Sequence, residues 1–450
     1  MGKYVHNGSR GYNENVATKE QIGMDFIGEL KENLKKQGKY LKKYLPVYLK
    51  VLVLSALIGV VIGGFLGTVF WYTLKICQQT RTDYPWLLYF LPFGGLLIVW
   101  LYRVCGIKED RGTNELLISL HSPTPLKARR AVLIYVSTAI THLFGGSAGR
   151  EGAALQIGGS LGNKLGQKLK LTDSALNVMT MCGMGSVFSA LFGMPVVAAV
   201  FSLEVISVGE MYYSALLPIA LSCLIAAAVS GRLGVVPLKF SISHINDSFG
   251  WHSAMQVVGL AFLCAMVAIL FCRTLRLTGR IYKHYLKNPY LRIFIGGLIV
   301  VLLNLLLRTT DYEGAGTDVI TRAMSGQVIP EAFFLKIILT ALTLECGFKG
   351  GEIVPTFFIG ATFGCWMGGL LGLAPDFGAA IGLICLFCGV INCPISSLMI
   401  GFSMFGFQGA PFFLLACAVS YTFSGYTGLY SEQTILYGKL RAKYIGRKAE

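Results

Sequence analysis

Four runs of this chain are strongly apolar over nearly the length of a bilayer crossing or more: Val47–Leu74, Trp86–Tyr102, Met255–Phe271 and Leu291–Leu306. A helix must bury about 20 such residues to cross the hydrocarbon core, so the chain is committed to the membrane before any motif is considered. Composition agrees, with 54% hydrophobic and 14% charged residues and a mean hydropathy of +0.61. At that density, 450 residues supply roughly ten or more spans. Other apolar stretches, Gly145–Gly166 and Gly347–Gly372, are broken by glycine and proline. Broken segments at membrane depth persist only where protein or a wet cavity surrounds them. The expected fold class is an all-α polytopic membrane protein.

The net charge of +16 does not point to nucleic acid, because of where it sits. Lys31, Lys35, Lys36, Lys39, Lys42 and Lys43 precede the first run, and Lys439, Arg441, Lys443, Arg447 and Lys448 follow the last. The positive-inside rule then places both termini in the cytoplasm, with an even number of crossings. The polar stretch Met1–Lys43 does not read as a signal peptide. Within it, Gly28–Leu45 reads as an amphipathic helix lying on the membrane surface. The 12 cysteines have no framework or metal spacing, and even Cys385 and Cys388 sit in an apolar run. They read as buried hydrophobes, so no metal or cofactor is expected.

An internal repeat organises the rest. Gly145, Gly149, Ile157, Gly158 and Gly162 superpose in register on Gly347, Gly351, Ile359, Gly360 and Gly364. A second match follows in the same order, Ala190–Pro195 over Val390–Pro394. The expected divisions are an N-terminal segment 1–43, a first membrane repeat 44–235 and a linker 236–252 around the hydrophilic Ser241–Ser248. A second repeat, 253–427, and a pore-facing final helix with a basic tail, 428–450, complete the chain. Paired glycine-interrupted segments at matching places mark a transporter site between repeats. The start of a broken helix offers unpaired N–H groups and a partial positive charge, which stabilise an anion.

Charged groups inside these turns are costly in a membrane and are functional suspects for that reason. Glu151, in Gly149-Arg150-Glu151-Gly152, is an acid at the mouth of such a cradle: ionised it competes with an anion, protonated it yields the place. Glu352, in Gly351-Glu352-Ile353-Val354-Pro355, puts a second carboxyl in the partner turn. Thr113 and Asn114 offer hydrogen bonds at another helix start, where an ordinary cap is the plain alternative. Tyr430 offers a phenol, or is a tyrosine of the interfacial belt. Gly145-Gly-Ser147-Ala-Gly149 formally matches a nucleophile elbow, with His142 nearby. An intramembrane serine hydrolase is therefore the rival from another class, although the elbow needs a strand–turn–helix setting.

Taken together, the Gly-Arg-Glu-Gly turn, the second-half Gly-x-x-x-Pro turn, their spacing and the terminal Leu429-Tyr430-Ser431 resemble the CLC family of chloride channels and proton-coupled anion exchangers, over about Tyr44–Ile445. The resemblance implies an inverted repeat of two antiparallel halves with broken, tilted helices, assembled as a homodimer, and no enzyme activity. It implies that Glu151 is the gating glutamate. Arg150, Gly152, Ala153, Glu352 and Ile353 would frame the anion site, and Tyr430 would be the inner gate. Thr113 would stand for the family's anion-binding serine, with Asp110, Arg111 and Asn114 as alternatives for that place. Departures from the common pattern are Ala153 in place of proline, Glu352 and Ile353 in the second turn, and Val205 after Glu204 where exchangers carry an inner proton glutamate. These departures resemble the bacterial fluoride-exporting branch, although that branch usually carries asparagine or methionine where Thr113 stands. The expectation is fluoride/proton antiport in a bacterial plasma membrane, with fluoride or chloride, protons, lipid and a second copy as partners. A chloride channel or chloride/proton exchanger of the same fold is the alternative.

Overall fold

The computed structural model describes residues 9–107, 110–122, 126–242, 250–441 and 443–450, with side chains from 29 onward. Residues 243–249, the centre of the expected linker, and residues 1–8 lie outside the described set. The chain divides into a unit ending at Val53 and a unit from Leu54 to Glu450. Helix α1 (Ser9–Ile58) carries the lysine-rich segment. Gly28–Leu45 is part of this longer helix, and Leu30, Leu34 and Leu41 are exposed on it.

The second unit continues through a π-helical segment, Gly59–Gly67, into α2 (Thr68–Asp83), α3 (Leu91–Val104), α4 (Thr113–His121) and α5 (Arg129–Leu143). Then come α6 (Glu151–Lys168), α7 (Asp173–Phe192), α8 (Pro195–Glu204), β1 (Ser207–Val208) and α9 (Leu216–Arg232). The second half repeats the order: α10 (Trp251–Tyr285), α11 (Pro289–Leu307), α12 (Thr317–Met324), α13 (Ala332–Cys346), α14 (Ile353–Leu370), α15 (Pro375–Ile391), α16 (Pro394–Phe405) and α17 (Ala410–Phe423). Among the described residues seven helices are long and apolar enough to cross a membrane, and four apolar helices are shorter. Fewer helices than the roughly ten or more expected reach full spanning length among the described residues, because four of the apolar helices are only 10–17 residues long.

Helix lengths agree with the internal match. Helices α5 and α13 each have 15 residues, and α6 and α14 each have 18. The second sequence match is a shared break: α7 ends on Gly193 and α15 on Asn392, both left-handed, and two residues later a proline opens α8 and α16. A proline at the first helical position costs no hydrogen bond, and its fixed φ suits a helix start.

The repeated glycines have a steric cause. A Cβ on Gly158 would strike the carbonyl of Gly183 on α7, and one on Gly360 would come within 2.6 Å of the Gly382 carbonyl on α15. Helices α6 and α7, and likewise α14 and α15, thus touch backbone to backbone, as small residues permit in membrane interfaces. These four helices form the buried centre, whereas apolar side chains such as Val61, Phe65, Leu302 and Leu306 point outward. An apolar exterior around a polar, broken interior is a membrane protein's arrangement.

The tail corrects the sequence reading. The last helix, α17, ends at Phe423, and no helix follows among the described residues of 428–450. Instead β2 (Thr434–Tyr437) pairs in parallel with β1 and antiparallel with β3 (Tyr444–Lys448). Gly425 in left-handed φ turns the chain, and Ile435, Val208 and Ala449 form a small core beneath. The fold is mostly helical, with this one three-stranded sheet among the described residues.

Candidate anion site between two helix starts

The two glycine turns meet. Gly149 and Gly351 exchange both backbone hydrogen bonds as an antiparallel bridge, each N···O distance being 2.7 Å. No side chain fits at that crossing: a Cβ on Gly351 would lie 2.5 Å from the Gly152 nitrogen and 2.8 Å from that of Glu151. Helices α6 and α14, far apart in sequence, therefore begin side by side. The first N–H groups of each helix lack an intrahelical partner, and each start carries about half a positive charge. Together they make a place for negative charge.

One of the protein's own carboxylates, that of Glu151, reaches across to the other helix start. Glu151 is fully buried, and its Oε2 accepts from the Val354 N–H of α14 at 3.3 Å and from the Arg150 N–H at 2.9 Å. Glu352 Oε2 lies 3.3 Å from where a Cβ of Gly152 would sit, at the start of α6. In the repeat register Gly152 matches Val354, but Glu352 matches Arg150 and Glu151 matches Ile353, so the two carboxyls are not symmetry mates. Glu151 Oε2 occupies amides that a small anion would use.

Below the cradle a cavity of about 1200 Å³ opens to solvent. Thr113, Tyr430 and Glu352 line it together with the basic residues Arg103, Lys283, Lys287 and Arg292. Basic walls concentrate anions near a constriction. The loop carrying Thr113 is fixed to the second turn by Asp110, whose carboxylate pairs with Lys349 at 2.7 Å and accepts from Gly112 N at 3.2 Å. Burial pushes the Asp110 carboxyl up, but Lys349, the Gly112 amide and Arg130 outweigh it and hold it below its ordinary value. Arg130 extends the network to Glu115.

Of the residues singled out in sequence, the structure gathers Glu151, Arg150, Gly152, Ala153, Glu352 and Ile353 at the two helix starts, with Ala153 and Ile353 fully buried. Thr113 and Tyr430 are buried on the cavity side. Asn114 also lines the cavity, and its Oδ1 accepts from Glu432 N at 3.1 Å, tying it to the segment after Tyr430. Helix α4 starts without a side-chain cap, its Gly112 taking a positive φ of 57°. Val205 is buried and offers no acid, while Glu204 caps α16 by accepting from Ile395 N at 3.0 Å, Ser396 N at 2.7 Å and Ser396 Oγ at 2.5 Å.

The hydrolase alternative fails on geometry. Ser147 Oγ bonds Thr340 Oγ1 at 3.1 Å, the His142 ring bonds the Thr138 carbonyl, and the turn follows a helix, not a strand. Sequence reasoning missed Val354, whose amide donates to the Glu151 carboxylate, and the Asp110–Lys349 pair. Nothing in a valine or in two charges 239 positions apart advertises such a meeting.

Comparison with known proteins agrees with this geometry. The profile described as "Voltage gated chloride channel" matches residues 94–425, which include both glycine turns. A "Chloride/fluoride channel protein" of Pseudomonas syringae pv. tomato is 32% identical over 383 residues, 84% of each chain. An "H(+)/Cl(-) exchange transporter" of Vibrio parahaemolyticus is 22% identical over 76% of this chain and 79% of its own. A solved "CLC-type fluoride/proton antiporter" shares 32% identity with a TM-score of 0.83, over 86% of this chain and 98% of the other. A "slow cyanobacterial Cl-/H+ antiporter" shares the fold at a TM-score of 0.71 and 19% identity, over 83% of this chain and 94% of its own. Two crossing glycine turns, a carboxylate on a helix start and these relatives converge on one assignment: the chain belongs to the voltage-gated chloride channel family, the CLC proteins.

Proposed function

We propose that this multi-pass membrane protein exchanges fluoride for protons, exporting fluoride from a bacterial cytoplasm as protons move in. The observation that carries this reading is the Glu151 carboxylate lying on the Val354 and Arg150 amides at the bridge between the two turns. An anion and an ionised Glu151 compete for the same donors, so anion arrival favours release of the side chain, and release favours its protonation. One group thereby couples the two fluxes.

Selectivity rests on Glu352 in the partner turn. Fluoride is small and strongly hydrated, so removing its water needs strong donors, and a protonated carboxyl is one. Glu352 stands at the junction of cavity and cradle, facing the charges of Glu151, Glu345 and Lys349. With valine at 205 and Glu204 engaged as a helix cap, protons travel through Glu151 itself. Thr113, Ile353 and Tyr430 line the anion path between cavity and cradle. The names of the relatives at 32% identity support fluoride as the cargo. Both termini are assigned to the cytoplasm on their lysine and arginine content, and the working form is assigned as a homodimer on the family resemblance. The test is efflux of fluoride and chloride from proteoliposomes, with and without a pH gradient. Chloride moving as fast as fluoride would remove the fluoride assignment.

A further inference from the structure

Helix α1 takes no part in the mechanism above, and every residue on it from Glu29 to Leu45 is exposed. That stretch holds six lysines, Lys31, Lys35, Lys36, Lys39, Lys42 and Lys43, against two glutamates, Glu29 and Glu32, a net charge of +4. It also holds Leu30, Leu34, Tyr40, Leu41, Tyr44 and Leu45, which are 43–64% exposed. At about 100° per residue, the lysines fall within one arc of about 140°, and the leucines and tyrosines fall within a second arc of about 140° that does not overlap it. Asn33 and Gln37 are the polar residues inside the apolar arc. Tyr40 and Tyr44 touch, with ring centroids 4.7 Å apart, and Lys43 sits over the Tyr44 ring at 5.0 Å.

Neither arc is satisfied within the chain. Glu32 pairs with Lys36 at 2.8 Å, an exposed i,i+4 contact of small worth. Lys31, Lys35, Lys39 and Lys42 have no ion-pair partner among the described residues. The sequence that follows says what covers the segment. Pro46 comes next, and the apolar run Val47–Leu74 begins directly after it. Pro46 has no N–H to offer the Lys42 carbonyl, the kind of gap at which helices bend. Residues 29–45 are thus about 25 Å of helix ending where the first span begins. A protein partner on the leucine arc would leave the lysines uncompensated. A lipid leaflet satisfies both arcs at once: acyl chains take the leucines, the headgroup layer takes the tyrosines, and the lysine stems carry their charges out to phosphates.

We propose that residues 29–45 of α1 form a docking surface for anionic phospholipid, with Leu30, Leu34, Leu41 and Leu45 inserted and the lysine arc held by negatively charged headgroups. The excess of lysine over glutamate makes the surface discriminate between anionic and neutral lipid, since each lysine near a negative leaflet adds attraction that salt screens. The inference is independent of the antiport reading.

The experiment measures hydrogen exchange by mass spectrometry on the full-length protein in nanodiscs of phosphatidylcholine alone or of phosphatidylcholine mixed with phosphatidylglycerol. Amides of residues 29–45 should exchange at least about tenfold more slowly in the anionic discs, a factor that two lysines at such a surface supply. Raised salt should return the rate toward that in neutral discs. Replacing Lys31, Lys35, Lys39 and Lys42 together by glutamine should abolish the difference between the two lipids. Leu34→Gln combined with Leu41→Gln should remove the protection even in anionic discs, because charge alone does not insert the helix. Exchange in α14 serves as the control for folding, and the wild-type comparison between lipids decides the matter should a variant fail that control. Equal wild-type exchange in the two lipids would overturn the proposal. So would protection that is present in lipid-free detergent and grows with protein concentration, the sign that a second copy of the helix covers the apolar arc.

Discussion

Replacing Glu151 by glutamine should tighten fluoride binding as it destroys proton coupling, and the structure sets the size of the effect. Ionised Glu151 accepts from Arg150 N at 2.9 Å and from Val354 N at 3.3 Å. A hydrogen bond to a charged acceptor contributes about 1.5–3 kcal/mol and a neutral one about 0.5–1.5, so losing the charge weakens each bond by about 1 kcal/mol. The longer Val354 bond gives less, and the gate's hold falls by roughly 1.5–2 kcal/mol. Because fluoride competes for those amides, its apparent affinity should rise by about 10- to 30-fold. Titration calorimetry of purified protein reads this directly, with chloride as the control, and paired electrodes report the loss of coupled proton flux. An unchanged fluoride affinity in Glu151→Gln, with proton transport intact, would refute the competition on which the argument stands.

Further perturbations separate the remaining parts. Gly351→Ala would force a Cβ to 2.5 Å from the Gly152 nitrogen and open the bridge to Gly149; fluoride binding and flux should both disappear, and calorimetry with wild-type affinity would contradict the cradle. Glu352→Ala should slow fluoride efflux more than chloride efflux, whereas equal losses would reduce Glu352 to scaffold. Asp110→Asn should cost about 1–3 kcal/mol at neutral pH, because it removes a buried charged acceptor. Asp110 has its pKa lowered in the fold, so its contribution is present above the ordinary carboxylate range and is lost as pH falls through the folded value. The wild-type protein and the Asp110→Asn variant should therefore converge in thermal stability toward acid, and a difference that stays constant with pH would contradict the Asp110–Lys349 linkage.

What the sequence displays is governed by how a requirement is encoded. Backbone-to-backbone packing of α6 on α7 and α14 on α15 demands glycine at fixed spacing, so Gly158, Gly162, Gly360 and Gly364 reveal the repeat without coordinates. The paired breaks at Gly193 and Asn392, each followed by proline, are visible for the same local reason. Glu151 and Glu352 announce themselves because acids are rare in such surroundings. Contacts made by main-chain amides are silent, and Val354 is indistinguishable in sequence from any apolar helix residue. The contact of Asn114 with Glu432 is equally silent, because its partner lies 318 positions away in the chain. The tail misled for another reason: Thr434–Tyr437 and Tyr444–Lys448 are short and carry no long apolar pattern, and only β1, after α8, supplies the edge that makes them strands.

The measurement that bears most directly on the central claim is fluoride and proton flux recorded together from proteoliposomes with equal fluoride on both sides and a pH difference across the membrane. Coupling through Glu151 requires fluoride to move uphill against the proton flow, and to stop doing so in Glu151→Gln. Fluoride that stays at equilibrium under the pH gradient, or that moves identically in wild type and Glu151→Gln, would contradict it.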